Sequence, residues 1–376
     1  MYDYLIVGSG LYGSVFAYEA KKAGKTCLVI EKRDHIAGNI YCENIAGIHV
    51  HKYGAHIFHT NNETVWNYVC NFAEFNDYKH SVLAVNGDKL YHLPFNLTTM
   101  YETLSTYNPE EIKRIIREEH SIWGSNYCLQ HGDSPNPSLE SFIIREVGTT
   151  IYNVLIKHYT EKQWGKKCDE LPPSIINRIP IRFNFDNHYF SDKYQGIPIN
   201  GFTDMVNKML DGIPVLLNTD FNDNRNYWLS QAKHIIYCGA PDELMDYSLG
   251  KLEWRSLEFH ITDTEKCQGT SVINYTDDRK YTRVIDHKWF NYKNDNHTVL
   301  TYEYPTKWEI GKERYYPIND DNNDLLYKKY VNAISAAYPS ISLGGRLGLY
   351  KYIDIDDCIE LAMQHIEYIT KKDELL

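Results

Sequence analysis

The sequence has neither a long hydrophobic run nor a basic run. No apolar stretch approaches the ~18 residues that a membrane-spanning helix requires, so we expect no membrane span. Lys and Arg number 39 against 50 Asp and Glu, which gives a formal net charge of −11. Without a basic cluster or a zinc-ligand spacing, the sequence predicts no nucleic-acid partner.

Cysteine is present but never closely paired. The eight cysteines are scattered, and no C-x-x-C occurs among them. This distribution favours a reducing compartment and argues against disulfides. The sequence begins directly in a predicted strand with no cationic leader, so we expect a cytoplasmic protein.

A complete phosphate-binding βαβ pattern occupies the first 39 residues. A buried strand is predicted over 2–7, a G-x-G-x-x-G turn over 8–13, a helix over 11–23, and a second strand over 26–30 that ends at Glu31. Strand, glycines, helix, strand and terminal acid follow one another in the order that a dinucleotide requires.

Each residue of this pattern has a physical role. Gly8 permits the tight turn, Gly10 lets the backbone approach a pyrophosphate, and Gly13 lets the helix pack closely on the strand. The helix N-terminus offers unpaired N–H groups to the anion. Glu31 is placed to bind a ribose hydroxyl. These residues predict a dinucleotide site.

A second turn of small residues follows the acid. Lys32, Ala37, Gly38 and Asn39 stand at a spacing typical of flavin enzymes, which changes the expected cofactor from a nicotinamide dinucleotide to FAD. Ala37 departs from the pattern, because many such turns have a second glycine there. Arg33 is left open between a role at this turn and that of a solvated surface cation.

Histidines cluster between residues 49 and 59. His49, His51, His56 and His59 are close in sequence, but no cysteine or carboxylate stands at a supporting spacing, so we predict no metal site. The better functional interpretation is backbone approach to a flavin at Gly54 with His56 or His59 beside the ring. A buried histidine satisfied by hydrogen bonds remains an alternative for each.

The middle of the chain predicts a hairpin followed by helices. Residues 81–95 read as a hairpin whose Asn86-Gly87 turn requires positive φ at both positions. Asn108 and Ser138 are predicted N-caps of two helices, which form a small helical region over about 98–160.

The second half combines short strands with segments that return to the first domain. Runs at 270–275, 282–286 and 298–304 predict an antiparallel sheet. The apolar runs at 235–240 and 341–343 predict strands of the buried parallel sheet in the first domain. Asp354 is a predicted N-cap of a final helix with an isoleucine-rich face.

The predicted fold class is therefore α/β, with a Rossmann-like FAD-binding domain assembled from discontinuous segments, a small helical domain and an antiparallel-sheet domain. The expected boundaries are 1–75 with 200–240 and 325–376 for the FAD-binding domain, 98–165 for the helical domain, and 76–97 with 166–199 and 241–324 for the substrate domain.

Further stretches are dense in anion-binding and stacking side chains, and together they resemble one family. Arginine matches phosphate oxygens with a rigid fork, and Tyr or Trp can stack on a base or a sugar. With the N-terminal glycines, the chain resembles the bacterial UDP-galactopyranose mutases through HKYGAHIFHT at 51–60, YTEKQWG at 159–165, RIPIRF at 178–183, FDNHYFSDKYQGIP at 185–198, YTR at 281–283, and GGR with YKYID near the end.

The resemblance implies an isomerase that interconverts UDP-galactopyranose and UDP-galactofuranose with no net redox change. In the family, N5 of reduced FAD attacks the anomeric carbon, so FAD is expected to be active only when reduced. An external reductant such as NAD(P)H and a homodimer are expected partners, beside the UDP-sugar substrate.

The resemblance also implies the site residues. Arg178, on a loop that closes over substrate, and Arg283 would clamp the diphosphate, and both are expected to be catalytic, together with His59. The implied substrate-binding residues are Tyr159, Trp164, Arg178, Tyr189, Asn274, Arg283, Tyr316, Tyr352 and Asp354. The implied cofactor-binding residues are Gly8, Gly10, Gly13, Glu31, Lys32, Gly38, Asn39, His56, Arg346, Tyr352 and Asp354.

A rival of another class is an FAD-dependent oxidoreductase of the amine-oxidase type. It would share the first domain but exchange electrons with its substrate, and it would not need Arg178 and Arg283 beside tyrosines. A nicotinamide dehydrogenase is less favoured because no second glycine fingerprint occurs. A non-catalytic protein of flavin fold would bind the UDP-sugar without turnover.

Overall fold

The computed structural model describes residues 1–131, 138–176, 179–292 and 297–374, and its elements alternate between strand and helix. The strands in chain order are β1 Tyr2–Val7, β2 Cys27–Ile30, β3 Cys42–Ile45, β4 Ile48–His51, β5 Phe58–Thr60, β6 Val82–Asn86, β7 Lys89–Leu93, β8 Tyr194–Gly196, β9 Val215–Leu216, β10 Ala232–Tyr237, β11 Trp254–Thr264, β12 Val272–Tyr275, β13 Arg283–Asp286, β14 Thr298–Lys307, β15 Tyr316–Pro317 and β16 Ile341–Leu343. The helices are α1 Leu11–Lys22, α2 Glu63–Val69, α3 Leu97–Leu104, α4 Pro109–His131, α5 Leu139–Ile151, α6 Lys157–Trp164, α7 Gly201–Met209, α8 Arg225–Leu229, α9 Pro241–Leu244, α10 Asp321–Ala337, α11 Gly345–Gly348 and α12 Ile355–Glu374.

The chain divides into two compact units. The first unit comprises Met1–Tyr78, Asp192–Trp254 and Lys312–Leu376, and the second comprises Lys79–Ser191 and Arg255–Gly311. Residues 192–199, which we placed in the substrate domain, belong to the first unit because β8 pairs with β5 there. Residues 241–254 and 312–324 belong to it as well. A separate helical domain stays a prediction.

A five-stranded parallel sheet forms the centre of the first unit. Its order is β16-β10-β1-β2-β9, so strands from three distant parts of the chain pair side by side. This confirms the predicted discontinuous Rossmann-like domain. The strands are nearly continuous apolar runs, as expected for a sheet covered on both faces.

Helices cover both faces of this sheet. On one face α1, α7 and α12 bury a cluster that includes Phe16, Phe202 and, from the predicted isoleucine-rich face of α12, Ile359 and Ile366. Residues such as Phe221, Trp228 and Ile334 pack on the other face. The sheet is therefore buried on both sides, and ligands can reach it only at its strand ends.

The second unit contains a mixed sheet. Its strands adjoin in the order β11-β14-β13-β12-β6-β7. All neighbours are antiparallel, as predicted, except β6 and β12, which run parallel. Parallel neighbours need a long crossover, and here the helical region between residues 97 and 164 lies between them in sequence.

The β6–β7 hairpin turns one residue later than predicted. Asn86 pairs with Lys89, so the two loop residues are Gly87 and Asp88, and of Asn86 and Gly87 only Gly87 has positive φ. The amide of Asn86 donates to the carbonyl of Val154 at 2.9 Å. This tertiary contact holds Asn86 in the strand, and the prediction of a turn centred on Asn86-Gly87 is wrong.

The two predicted helix starts are confirmed. The Asn108 carboxamide oxygen accepts from the Glu110 N–H at 3.0 Å, and the Ser138 hydroxyl accepts from the Ser141 N–H at 3.2 Å. Helix α5 is interrupted at Gly148, where φ is 81°, and a π-helical turn at Tyr152–Ile156 leads into α6.

Candidate functional site

A cavity in the first unit opens at the carboxyl ends of the parallel strands. Val7, Ile30 and Tyr237, the last residues of β1, β2 and β10, lie in its wall. In open parallel sheets this edge is the usual place for a ligand. The predicted glycine turn, Glu31, Lys32, Asn39, His56, Arg346 and Asp354 line the same cavity.

The glycines of the turn are required by close contacts. Gly8 has φ of 106°, a region that favours glycine. A Cβ on Gly13 would lie 2.1 Å from the carbonyl oxygen of Gly8, and one on Gly38 would lie 2.9 Å from the Cα of Gly10. The two turns therefore touch each other through glycine backbone. Ala37 adopts φ of 73° despite its side chain.

The carboxylate of Glu31 is buried and held in one orientation. Oε2 accepts from the N–H of Ser9 at 2.8 Å and from its hydroxyl at 2.9 Å, and Oε1 accepts from the N–H of Arg33 at 3.0 Å. The acid that follows β2 thus fixes the glycine turn as well as lining the cavity.

Arg33 is not a surface cation. Its guanidinium donates to Glu313 at 2.5 Å and to Asn39 at 3.0 Å, and it lies 4.4 Å from the centre of the Tyr53 ring. Among the described residues Nη1 of Arg33 is buried without a hydrogen-bond partner. Arg33 is therefore a fixed part of the cavity wall.

One end of the cavity is formed by the start of α12. Asp354 immediately precedes the helix, and Ile355 and Cys358 of its first turn line the cavity. Asp354 therefore occupies both places that we considered, the N-cap position and the cavity wall. Twenty residues of helix direct a partial positive charge toward this end.

Arg346 and two tyrosines adjoin this end of the cavity. Arg346 donates to the carbonyl of Ile353 at 2.8 Å, and its guanidinium lies 4.6 Å from the centre of the Tyr352 ring. The rings of Tyr352 and Tyr316 are nearly parallel with centroids 6.0 Å apart. The predicted residues Tyr316, Arg346, Tyr352 and Asp354 are thus neighbours within the first unit.

The two candidate histidines occupy different surroundings. His56 lines the cavity, and its Nδ1 lies 2.8 Å from the carbonyl oxygen of Gly54, so Nδ1 is the protonated nitrogen. Nδ1 of His59 lies 3.0 Å from the Asp192 carboxylate, and His59 is not among the described residues that line the cavity. A catalytic role for His59 stays a prediction.

These residues fit a dinucleotide such as FAD. The glycine turn and the α1 N-terminus offer backbone donors to a pyrophosphate, and Glu31 offers an acceptor for a ribose. The start of α12 adds the positive end of a helix dipole to the same cavity wall.

A polar cluster in the second unit contains three predicted substrate residues. Arg283 starts β13 and is a register partner of Asn274 on β12. Its Nε donates to the Asn274 carboxamide oxygen at 3.2 Å, and its Nη2 donates to the Tyr159 hydroxyl at 3.0 Å. The structure thus brings together Tyr159, Asn274 and Arg283, three of the predicted substrate-binding residues, and their role in binding stays a prediction.

Glu303 belongs to this cluster and was missed by the sequence reasoning. It is the register partner of Arg283 on β14, and the two side chains approach to 3.6 Å. Burial raises the pKa of Glu303, and the Arg283 guanidinium opposes that rise. Only the strand register reveals the pairing, although an acid inside the run 298–304 was a signal.

Lys162 ties α6 to the β12–β13 hairpin. Its ammonium donates to the carbonyl oxygens of Tyr275, Asp277 and Arg279, each at 2.8 Å. Burial lowers the pKa of Lys162 to about 8, against the opposing effect of nearby Asp277. Because α6 carries Tyr159 and Trp164, this contact fixes Tyr159 relative to Arg283.

Three other predicted substrate-binding residues, Trp164, Tyr189 and Arg178, are not among the contacts of Arg283 described above. Trp164 is the last residue of α6 and is half-buried. The N–H of Tyr189 donates to the carbonyl of His80 at 2.7 Å, and its ring contacts those of His80 and Phe190. Arg178 lies outside the described residues, so its place in a diphosphate clamp stays a prediction.

No helix in the described part of the chain is long and apolar enough to cross a membrane. Within those residues no group of three or more His, Cys, Asp or Glu side chains is arranged to hold a metal ion.

Comparison with known proteins gives consistent matches. The family model of UDP-galactopyranose mutase matches residues 154–352, and that of the NAD(P)-binding Rossmann-like domain matches residues 6–72. The "Probable UDP-galactopyranose mutase" of Klebsiella pneumoniae is 34% identical, with 99% of this chain and 96% of that protein covered. The dTDP-fucopyranose mutase of Escherichia coli is 32% identical, with 98% and 99% covered.

A crystal structure of reduced UDP-galactopyranose mutase shares the fold, with a TM-score of 0.74 at 14% identity, and the match covers 99% of this chain and 96% of that one. A putrescine oxidase shares it at a TM-score of 0.58 and 14% identity, with 99% of each chain covered, so the amine-oxidase likeness is one of fold alone. Since its model matches more than half of the chain and one relative is 34% identical over nearly the whole length, the protein belongs to the UDP-galactopyranose mutase family.

Proposed function

We propose that the protein is a flavin-dependent isomerase that interconverts UDP-galactopyranose and UDP-galactofuranose. The observation that carries the proposal is the fixed guanidinium of Arg283, held by Tyr159, Asn274 and Glu303 in a chain of this family. An oxidase has no need of such an anion-binding group. An isomerase that must release and recapture a nucleoside diphosphate does.

FAD is the cofactor, and when bound and reduced it supplies the nucleophile that attacks the anomeric carbon of the sugar. The chain supplies position and charge. The cavity that would hold FAD is lined by the glycine turn, Glu31, Asp354 and the first turn of α12. The positive end of α12 would favour negative charge on the reduced cofactor.

Arg283 stabilises the leaving group. Negative charge develops on the diphosphate as the bond between anomeric carbon and oxygen breaks, and a preorganised donor lowers the energy of that transition state. Glu303 and Asn274 fix the guanidinium beforehand, so little reorganisation is needed during the reaction. Arg178 would add a second donor, and Tyr159 would stack on the uracil.

A second substrate is favoured by one observation. The dTDP-fucopyranose mutase of Escherichia coli is nearly as similar to this chain as the Klebsiella relative. dTDP-fucose differs from UDP-galactose by a methyl group on the base, the missing ribose 2′-hydroxyl and a missing 6-hydroxyl, and the ring contraction is otherwise the same. We therefore propose UDP-galactose as the substrate and dTDP-fucose as the alternative.

We also propose an external reductant such as NAD(P)H, a homodimer, and a cytoplasmic location. The family resemblance supports the first two. The scattered, unpaired cysteines support the third.

Incubation of dithionite-reduced holoenzyme with UDP-galactofuranose tests the function. Chromatography should show UDP-galactopyranose at the expense of the furanose. A parallel incubation with dTDP-fucofuranose ranks the two substrates by kcat/KM. Conversion of neither nucleotide sugar by reduced, FAD-loaded protein would exclude the proposal.

A further inference from the structure

Two adjacent residues of opposite charge, Glu313 and Arg314, each form an ion pair with a residue of the dinucleotide cavity. The Glu313 carboxylate accepts from Arg33 at 2.5 Å, and Arg314 donates to the Glu243 carboxylate at 2.7 Å. Arg33, Glu243 and Glu313 line the cavity. The segment that begins at Lys312 is therefore fastened to two separate parts of the cavity wall.

In both pairs the cation is shielded from solvent, whereas the carboxylates are more exposed, Glu313 by 37% and Glu243 by 28%. The side chain of Arg314 is 5% exposed and that of Arg33 is 14% exposed. The Arg33 guanidinium holds the pKa of Glu313 below its usual range although burial opposes this. Exposed ion pairs contribute little to stability, whereas removing one partner of a shielded pair is destabilising because it leaves a buried charge without its counter-charge.

Arg33 is itself held in place from behind. Its guanidinium lies against the Tyr53 ring, and the Tyr53 hydroxyl donates to Nε2 of His35, 2.7 Å away. Nδ1 of His35 donates to the carbonyl of Ile36 at 2.8 Å, which fixes the tautomer. Glu313 thus meets a preorganised partner.

We propose that Glu313 and Arg314 form a clasp that slows the release of FAD, with Arg33 and Glu243 as its receiving groups. The proposal rests on the proposed function in that it takes FAD as the ligand. Because Arg33 follows Glu31 by two residues, the clasp lies at the adenosine end. These are positioning residues, since they act by holding the segment 312–316 against the cofactor's cavity.

The experiment measures FAD dissociation from the holoenzyme by the rise in flavin fluorescence. Glu313→Gln and Glu243→Gln each remove one charge with little change of shape. We expect each to raise the dissociation rate by about tenfold, because removing the carboxylate leaves a shielded arginine without its ion-pair partner, and such losses act mainly on off-rates. In the wild type the rate should rise with salt, and in Glu313→Gln that rise should be smaller.

Asp246→Asn is the matched control. Asp246 accepts two hydrogen bonds from Arg225 in the same unit, but its side chain is 78% exposed and neither residue lines the cavity. Its FAD dissociation rate should equal that of the wild type. A purely structural role would instead lower thermal stability in all three variants without changing the rate or its salt dependence.

Wild-type release rates in both glutamate variants, or equal acceleration in Asp246→Asn, would overturn the clasp. If the glutamate variants do not fold, a salt-independent release rate in the wild type would overturn it by itself. Failure of the wild type to bind FAD would instead overturn the proposed function.

Discussion

The guanidinium of Arg283 is held by groups from three elements. Tyr159 comes from α6, Asn274 from β12 and Glu303 from β14, and each contacts a different nitrogen of the fork. An arginine fork can bind two oxygens of a phosphate group when it is held in one orientation. The residue is therefore prepared for an anion before the anion arrives.

Substitution of Arg283 by Lys should lower kcat about a hundredfold, because a point charge cannot replace a donor fork aimed at developing negative charge. Steady-state rates with reduced enzyme and UDP-galactofuranose measure this. Arg279→Lys is the control, since Arg279 lies in the same β12–β13 connection but pairs with Asp277. Normal turnover by a folded Arg283→Lys enzyme would remove Arg283 from the clamp.

At the residue scale, sequence reasoning identified residues that stand in motifs and missed those that depend on pairing across strands. The glycines and Glu31 could be named from local pattern, and Arg283 from a motif of the family that the chain resembles. Glu303 could not, because its role follows from a register that joins residues twenty positions apart. Arg33 was left undecided because its partner Glu313 is 280 positions away.

Helix α1 packs on the glycine turn more closely than a side chain allows. A Cβ at Gly13 would meet backbone, 2.1 Å from the carbonyl oxygen of Gly8, so no side-chain rotation can relieve the contact. Gly124 in α4 is different, because a Cβ there has nothing within 4 Å. Alanine at Gly13 and alanine at Gly124 should therefore change the stability of the protein in opposite directions.

Gly13→Ala should destabilise the protein by about 1 to 3 kcal/mol, as overpacking against a fixed neighbour does, and should weaken FAD binding. Gly124→Ala should stabilise it by up to about 1 kcal/mol, because alanine is the better helix former. Urea unfolding and FAD titration compare both variants with the wild type. If the Gly13→Ala variant had the same unfolding free energy and the same FAD affinity as the wild type, the close helix–strand contact would be refuted.

At the element scale, locally encoded features were predictable and long-range ones were not. The caps Asn108 and Ser138 act within three residues, and both were identified. The turn after β6 was misplaced because the contact of Asn86 with Val154 outweighs the local Asn-Gly preference. The parallel pairing of β6 with β12 joins distant segments, and the residue pattern of neither strand indicates it.

Each unit of the molecule contains a histidine that burial keeps neutral, fully buried at His287 and partly buried at His365. Burial lowers the pKa of His287 in the second unit to about 3 and that of His365 in the first unit to about 4. Nε2 of His287 lies 2.8 Å from the Thr301 hydroxyl, and Nδ1 of His365 lies 2.8 Å from the Tyr12 hydroxyl. Both side chains titrate near 6.5 once the chain is unfolded.

Acidification should therefore destabilise the fold through these groups. Because the folded-state pKa lies below the unfolded value, each histidine's contribution to the free energy of unfolding is fully present above pH 6.5 and is lost as the pH falls toward 4. At pH 5 the loss is about 2 kcal/mol per histidine. His365→Gln should be less sensitive than the wild type to a change from pH 7 to pH 5 in urea unfolding. His158→Gln, which alters a half-exposed histidine, should match the wild type.

Equal pH sensitivity of His365→Gln and the wild type would contradict the neutral, buried state of His365. Comparing each variant with the wild type separates the histidine's effect on the pH dependence of unfolding from the effects of acidic groups such as Glu303. The raised pKa of that carboxyl acts in the opposite direction on acidification.

The central claim, an isomerase that needs a reduced flavin but consumes no electrons, is tested most directly by counting turnovers per reduction. Holoenzyme is reduced once under anaerobic conditions, freed of excess reductant, and supplied with UDP-galactofuranose. We expect no conversion by the oxidised enzyme, and many molecules of UDP-galactopyranose per flavin after one reduction. Equal rates from oxidised enzyme, or one reducing equivalent consumed per product, would contradict the account and indicate an ordinary oxidoreductase.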